Sequence, residues 1–427
     1  MLRACPIDGR RGAPSGRYRR KCPARCFESN TFNIPIASYT LVDVRNPPQD
    51  PDGLLPAPRR IFLAQSAAAL IGGFGARLGR ASGSVPAADS DAAAEAAARR
   101  AFAQSADAIA GAPILRWIPT QEELVYTFGG AAARQRIASG TRIVTWTEDC
   151  FDGRIRTKSD LISTSTTPGH DNPQTGPFHV DGAEYGDTLA VRILRLEPAR
   201  SYAVSAFSPG FGALVGNDQT AMLGTELPET TWRYEVDPAG RVARTSSADG
   251  RHLWEVPLSP FLGCLGVAPA DGEVRSTTVP GAFGGNMDCP EVRAGNTIYL
   301  GVNRPGALVS FGDGHYAMGD GEIVGGAIEG AMNVDLTVTL VKGVATPIPR
   351  IENDTHVMFV GSGRPLEDAA RVAFKAMIGW VRAASGLSEI DAYQFVSQNA
   401  KAPIVQMVDP EYTVLVKLDK SRLPRLR

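Results

Sequence analysis

The sequence predicts a mainly β chain, with β-sandwich or barrel-like sheets and a small α+β portion at the C-terminal end. Three observations carry this. Glycine (45) and proline (31) are abundant, and they separate short runs rich in Val, Ile, Thr and Tyr, as turns separate strands. Those runs recur at regular spacing, which favours packed sheets over a βαβ layout. After "TPIPR" (346–350) the apolar spacing changes from strand-like to helical. With 427 residues the chain has room for two or three domains, since single cores stop growing near ~250 to 300 residues.

Residues 1–53 are rich in Arg, Pro and Cys without hydrophobic periodicity, so no fold is expected of them. In "PAPRRIFLAQSAAALIGGFGA" Arg59 and Arg60 precede Ile61, Phe62 and Leu63 and a mildly apolar stretch from Ala67 to Ala76. Residues 54–88 thus resemble a twin-arginine export signal, with cleavage expected after Ala87 or Ala88. The stretch is far short of the ~20 residues of a membrane span, so no stable membrane insertion is expected. The expectation is an exported protein, periplasmic or extracellular, with the twin-arginine export machinery as a partner. Met1 lies 58 residues ahead of Arg59, and the next methionine is Met222. Translation is therefore expected to start at a non-Met codon near Val42, Val44 or Leu54, leaving residues 1 to about 50 outside the natural product.

Residues 89–112 are Ala-rich and close at Gly111, the pattern of a helical linker. The β-rich catalytic region is expected over 113–345. Its strands are "TRIVTWTEDC" (141–150), "DTLAVRILRLEP" (187–198), "NTIYLGVN" (296–303) and "VDLTVTLVKG" (334–343), each bounded by turn residues. In the α+β region, 346–427, a helix over 365–385 should bury a stripe of Val372, Phe374, Met377, Ile378 and Val381. Its first turn is acidic, which suits the positive end of the helix dipole. A second helix over 388–400 starts at Ser388 as N-cap, and "TVLVKLD" (413–419) is the closing strand. The helices should cover a sheet edge or serve a homo-oligomer contact.

Lys and Arg number 44 against 45 Asp and Glu, for a formal charge of -1. No field of either sign draws the chain to nucleic acid or anionic lipid, and 7% aromatic content argues against base stacking. Cys5, Cys22 and Cys26 lie in the N-terminal tract, and Cys150, Cys264 and Cys289 in the body. No Cys-x-x-Cys is matched by a second, which excludes a structural zinc ribbon. The three body cysteines are either free or form one bridge with one left over.

Chemistry-bearing residues gather in "GHDNPQTGPFHVDGAEYGDTLAV" (169–191) and in 280–336, which contains "SFGDGHYAMGDGE" (310–322). Four segments carry a resemblance to the acetamidase/formamidase family: Asn-Pro-x-Thr-Gly-Pro at Asn172 to Pro177, Gly-Ala-Glu-x-Gly-Asp at Gly182 to Asp187, Gly-Gly-Asn-x-Asp at Gly284 to Asp288, and the Gly-Asp-Gly-His loop at Gly312 to His315. The C-terminal "GLSEIDAYQFVSQNAKAPIVQMVDPEYTVLVKL" is similar to that family's closing helix and strand. The resemblance covers roughly residues 113 to 420. It implies hydrolysis of a small linear amide to a carboxylate and ammonia.

Such a reaction needs a nucleophile, oxyanion stabilisation and an acid for the departing amine. No Gly-x-Ser-x-Gly elbow is present, so water on a divalent metal, zinc first and calcium as a structural ion, is the economical source. Asp313 and His315 alternate about Gly314, and Asp320 and Glu322 about Gly321, so each pair can face one side. The expected metal set is Asp288, His315, Glu329 and Asp313. Glu322 is the expected general acid/base, with Glu329 counted in the catalytic role as well. His170, beside Asp171 at the Asn-Pro turn, is the remaining catalytic candidate, while His179 in an alternating strand, Glu184 and Asp187 are read as structural. Two other readings stay open: a Cys289-based amidase, its thiolate activated by a neighbour such as His315, and a non-catalytic β-sandwich module binding carbohydrate or metal.

Overall fold

The expected strands form by alternation and β-branching, and they assemble into two large sheets. The computed structural model describes residues 112–214 and 227–424, together with Glu95, Ala96, Arg99, Arg100 and Phe102. The readings of residues 1–53 and of the export signal at 54–88 lie outside the described residues, as does most of 89–112.

The first sheet runs, in order, Ile114–Arg116, Thr141–Thr147, Met332–Val341, Thr188–Pro198, Thr297–Gly301, Arg350–Glu352, His356–Gly363, Tyr412–Asp419 and Ile404–Gln406. Thr141–Thr147 is buried at every position, as befits a central strand covered on both faces. It is tied to its neighbour Met332–Val341 by buried Arg142, whose Nε and Nη2 donate to the two Asp335 carboxylate oxygens at 2.8 and 2.6 Å. The second sheet runs Leu253–Pro257, Val242–Ser246, Thr230–Asp237, Tyr202–Phe207, Ile328–Glu329, Val309–Ala317, Phe261–Gly266, Gly284–Asn286 and Pro280–Gly281. Gln174–Val180 joins it alongside Val309–Ala317 and pairs with Gln135–Ile137. One hydrophobic core takes Val191, Ile193 and Leu336 from the first sheet and Leu262, Leu265 and Phe311 from the second. The chain is mainly β, as its punctuation predicts.

Glu95, Ala96, Arg99, Arg100 and Phe102 of the 89–112 segment are helical, and the side chains of Glu95, Arg99 and Phe102 contact the body. Phe102 is buried against Val144, the Arg99 guanidinium lies 3.2 Å from the Trp146 ring centre, and Glu95 Oε1 accepts from Arg200 Nε at 2.9 Å.

The C-terminal helices span Leu366–Ser385 and Glu389–Asn399. The first ends on Gly386 at φ 73°, a left-handed cap that glycine adopts at no steric cost, and Ser388 caps the second by accepting from the Asp391 N–H at 3.2 Å. The buried line of the first helix is Ala369, Ala373, Met377 and Val381: Met377 and Val381 of the expected stripe belong to it, and two alanines complete it. Val372 is 40% exposed, and Phe374 and Ile378 only flank the contact. The reason is close approach: a Cβ on Gly361 of the sheet would stand 2.1 Å from the Ala369 carbonyl oxygen and 3.0 Å from the Ala373 Cβ. Alanine suits that line, whereas larger side chains would hold the helix off.

Gly361→Val should therefore destabilise the fold by about 3 kcal/mol. Gly379→Ala, on an exposed helical position with open space around it, should stabilise it by roughly 0.5 to 1 kcal/mol. Denaturant midpoints at constant m-value check both, and a wild-type midpoint for Gly361→Val would contradict the packing account.

Candidate functional site

The stretch expected to be a glycine-flexed acidic loop is instead a strand. Val309–Ala317 is buried at all nine positions and lies between Ile328–Glu329 and Phe261–Gly266. Its glycines serve close packing: a Cβ on Gly312 would come 2.2 Å from the Pro173 oxygen, and one on Gly314 2.3 Å from the Gly330 oxygen. The alternation about Gly314 does put Asp313 and His315 together. His315 Nε2 stands 3.1 Å from Asp313 Oδ1, 3.2 Å from Glu329 Oε2 and 3.8 Å from Asp288 Oδ1. Glu329 reaches it through strand register, since His315 pairs with Glu329 across the ladder.

Ligand-capable atoms of Asp288, Asp313 and His315 lie within 4.8 Å of one another, as do those of His315, Glu322 and Glu329, and those of Asp288, Glu322 and Asp409. Cys150 forms a further such group with Asp313 and Glu329. All face a cavity of about 340 Å³. None of its described lining residues is Lys or Arg.

The backbone is bent to achieve this. Asp288, Asp313, Glu322 and Asn172 have φ of 48°, 59°, 49° and 50°, a left-handed region that costs non-glycine residues on the order of 1 kcal/mol each and persists where the surroundings over-determine it. Asn172 Nδ2 donates to Asn286 Oδ1 at 2.9 Å and to Asp313 Oδ2 at 3.2 Å, and Asn286 Nδ2 donates to Asp409 Oδ2 at 2.7 Å. These amides orient two of the acids, Asp313 and Asp409. Gly263 makes room for two carboxylates, because a Cβ there would meet Asp313 Oδ2 at 2.3 Å and Asp288 Oδ1 at 2.7 Å.

Electrostatics follow from crowding in a dry place. Burial, reinforced by the carboxylates of Glu322, Asp409 and Asp313, holds Asp288 well above the ordinary carboxylate range. Burial, with Asp409, Glu329 and Asp313 adding to it and His315 opposing, does the same to Glu322. Burial raises Glu329 against the pull of His315 and carries Asp409 to about 7. Burial alone would lower His315, but Glu329 and Asp313 outweigh it and hold the imidazole well above its usual value. Both carboxylate oxygens of Asp288 and Oε2 of Glu329 are buried without a well-aligned hydrogen-bond donor. Acid-rich, oxygen and imidazole ligands with unclaimed lone pairs fit a divalent cation.

A buried ion layer supports one wall. Arg200 Nη1 lies 2.7 Å from Asp149 Oδ2 and Glu148 Oε1, and its Nη2 donates to Glu148 Oε2 at 2.7 Å. Asp149 Oδ1 in turn accepts from the N–H groups of Phe151 and Gly153, each at 3.0 Å, fixing the turn that carries Cys150 and Phe151 into the cavity.

Comparison with known proteins now bears on these residues. The sequence profile of the Acetamidase/Formamidase family matches residues 131–277 and 270–418, a span that includes every member of the cluster. The chain belongs to the acetamidase/formamidase family. It is 43% identical to an acetamidase of Mycolicibacterium smegmatis, over 50% of this chain and 64% of that one. Among solved structures it is similar to an acetamidase from Yersinia enterocolitica (36% identity, TM-score 0.67, covering 74% of this chain and 94% of that one) and to one from Bacillus halodurans (30%, 0.64, 73% and 100%). It spans less than two thirds of the curated relatives it matches.

Three of the four family motifs converge on the cavity, supplying Asn172, then Asn286 and Asp288, then Asp313 and His315. The fourth is a turn, with Asp187 Oδ2 held by Lys342 Nζ at 2.8 Å and Oδ1 by the Gly343 N–H at 2.9 Å. Asp288, Asp313, His315, Glu322 and Glu329 are thus brought together as expected, while Asp320 is exposed. His170 is not among them. Its half-exposed ring lies on Tyr126, centroids 4.4 Å apart, with Nδ1 3.8 Å from Asp152 Oδ2. Cys289 is fully buried in the main core, and burial pushes its thiol up to about 12. All three body cysteines are free. Sequence reading missed Asp409 and Cys150. Asp409 comes from the C-terminal segment, where an acid before Pro410 gave no local sign of reaching acids at 288 to 329.

Gly263→Ala tests the crowding directly. It should keep the fold, lose roughly 1 to 3 kcal/mol from overpacking, and weaken divalent-cation binding in equilibrium dialysis by at least about tenfold, the scale on which ligand-orienting shells act. Unchanged affinity would mean the two carboxylates relax freely.

Proposed function

We propose that the chain hydrolyses the C–N bond of a small linear primary amide, acetamide or formamide in type, to a carboxylate and ammonia with the help of a bound divalent cation, zinc by its ligand set. The observation that carries this is the convergence of Asp288, Asp313 and Glu329 on His315 Nε2 at the wall of a family-matched cavity. Asp288, Asp313, His315 and Glu329 would hold the cation. A cation so held lowers the pKa of water toward ~7 and polarises a carbonyl. The chain's own residues do the rest. Glu322 faces the same cavity and exchanges the proton that the departing nitrogen needs. Asn172 and Asn286 keep Asp313 and Asp409 oriented. The buried, high-pKa thiol of Cys289 speaks against a cysteine nucleophile, and family membership speaks against a non-catalytic binding module.

His315→Ala should lose both bound metal and ammonia release. Glu322→Gln should keep its metal while turnover of acetamide falls by roughly 10²- to 10⁴-fold. Elemental analysis beside steady-state rates separates the two, and a metal-free, fully active wild type would sink the mechanism.

Export by a twin-arginine signal and assembly into a homo-oligomer complete the proposal. The first is supported by Arg59 and Arg60 ahead of an uncharged apolar stretch. Support for the second is the exposure of Ile390 and Tyr393 on the C-terminal helices. Replacing both arginines with lysine should leave the protein in the cytoplasm. Fractionation showing undiminished export would refute the signal reading.

A further inference from the structure

The cluster of acids shares its cavity with apolar side chains. Phe151, Ile162 and Phe211 line it. Phe151 and Ile162 pack in one hydrophobic group with Ile155, Val204 and Ala206. Phe211 is seated on Gly325, where an added Cβ would come 2.5 Å from its Cδ1, and its N–H donates to the Ser208 oxygen at 3.1 Å. The next strand of contact, Ala213 N–H to the Ile323 oxygen at 2.9 Å, ties this segment to the turn that carries Glu322. Phe211 nevertheless keeps 40% of its surface exposed while lining the cavity of the acids.

Size points the same way. About 340 Å³ falls within the ~300 to 1,000 Å³ of pockets that enclose drug-sized ligands. A formyl or acetyl group bound at the acids would leave these apolar side chains in contact with water, forgoing the favourable burial of their surface.

Resting on the amidase reading of this same cavity, we propose that Phe151, Ile162 and Phe211 form an acyl-group subsite. The preferred substrates are then primary amides whose acyl group is apolar and of arylalkyl size, phenylacetamide being the simplest probe. The reaction stays balanced as before: water supplies the oxygen, the C–N bond breaks, and phenylacetate and ammonium leave. Phe211 and Ile162 decide specificity by what they contact, and the acids carry the chemistry.

The experiment measures ammonia release by the full-length metal-loaded protein on formamide, acetamide, butyramide and phenylacetamide, and binding of phenylacetamide and acetamide by calorimetry. Wild type should show a kcat/KM for phenylacetamide at least about tenfold above that for acetamide. In Phe211→Ala and Ile162→Ala that ratio should fall by roughly 10- to 200-fold, the range over which apolar pocket contacts discriminate. Highest kcat/KM on acetamide, or a ratio unmoved in both variants, overturns the subsite. If no amide is hydrolysed, the amidase reading fails, and binding decides the subsite separately. Phenylacetamide binding that weakens at least about tenfold in Phe211→Ala upholds it, and absence of binding removes it.

Discussion

Three carboxylate oxygens stand within 3.8 Å of one imidazole nitrogen that can donate to one of them at a time. This arrangement at His315 sets the terms for the rest of the fold. In water such crowding would relax. Here Asp288, Asp313, His315 and Glu329 are each about 1% exposed, so the charge must be met by protons or by a cation, because an isolated buried carboxylate costs far more than any single contact returns. The raised pKa values of Asp288, Glu322 and Glu329 record that tension.

The scaffold holds the tension by leaving groups no room to retreat. Gly263, Gly312 and Gly314 stand where side chains would collide with carboxylates or with backbone, so strands come nearer than usual and carry the acids inward. The left-handed φ values at Asp288, Asp313 and Glu322 show that the backbone accepts strain for the same end. Behind the wall, Arg200 neutralises Glu148 and Asp149 at full burial. Breaking a pair of this kind costs roughly 3 to 5 kcal/mol, since the survivor is left as an uncompensated buried charge. Glu95 reaches the same arginine, so the helix ahead of the body belongs to the support of the site.

Two kinds of surface meet in the cavity, acids with unclaimed lone pairs and an apolar group of two phenylalanines with an isoleucine. A molecule that satisfies both has a polar reacting head and an apolar body. Asp409 joins the acidic side from between the last two strands, which makes the C-terminal region part of the site and not merely a cover for the sheet.

The alternating strands, the helix pair, the Ser388 cap and the family were legible in the sequence, because alternation, period 3.6, capping residues and short motifs are local patterns that act over a few residues. Asp288, Asp313, His315, Glu322 and Glu329 were legible for a similar reason: acids near glycines around one histidine carry their own signature. What the sequence could not show is nearness across the chain. The helix stripe moved to Ala369 and Ala373 because of Gly361 on a distant strand, His170 turned toward Tyr126 and Asp152, and Asp409 and Cys150 entered the cavity by sheet topology. The sequence by itself determined the alternating strands and the helices, though not the glycine-rich strand Val309–Ala317, and which residue types are able to do the chemistry, since those follow from local geometry and intrinsic reactivity. The tertiary structure alone decided which of them share one buried space, because burial and mutual distance, which set charge state and ligand geometry, exist once the two sheets have closed on each other.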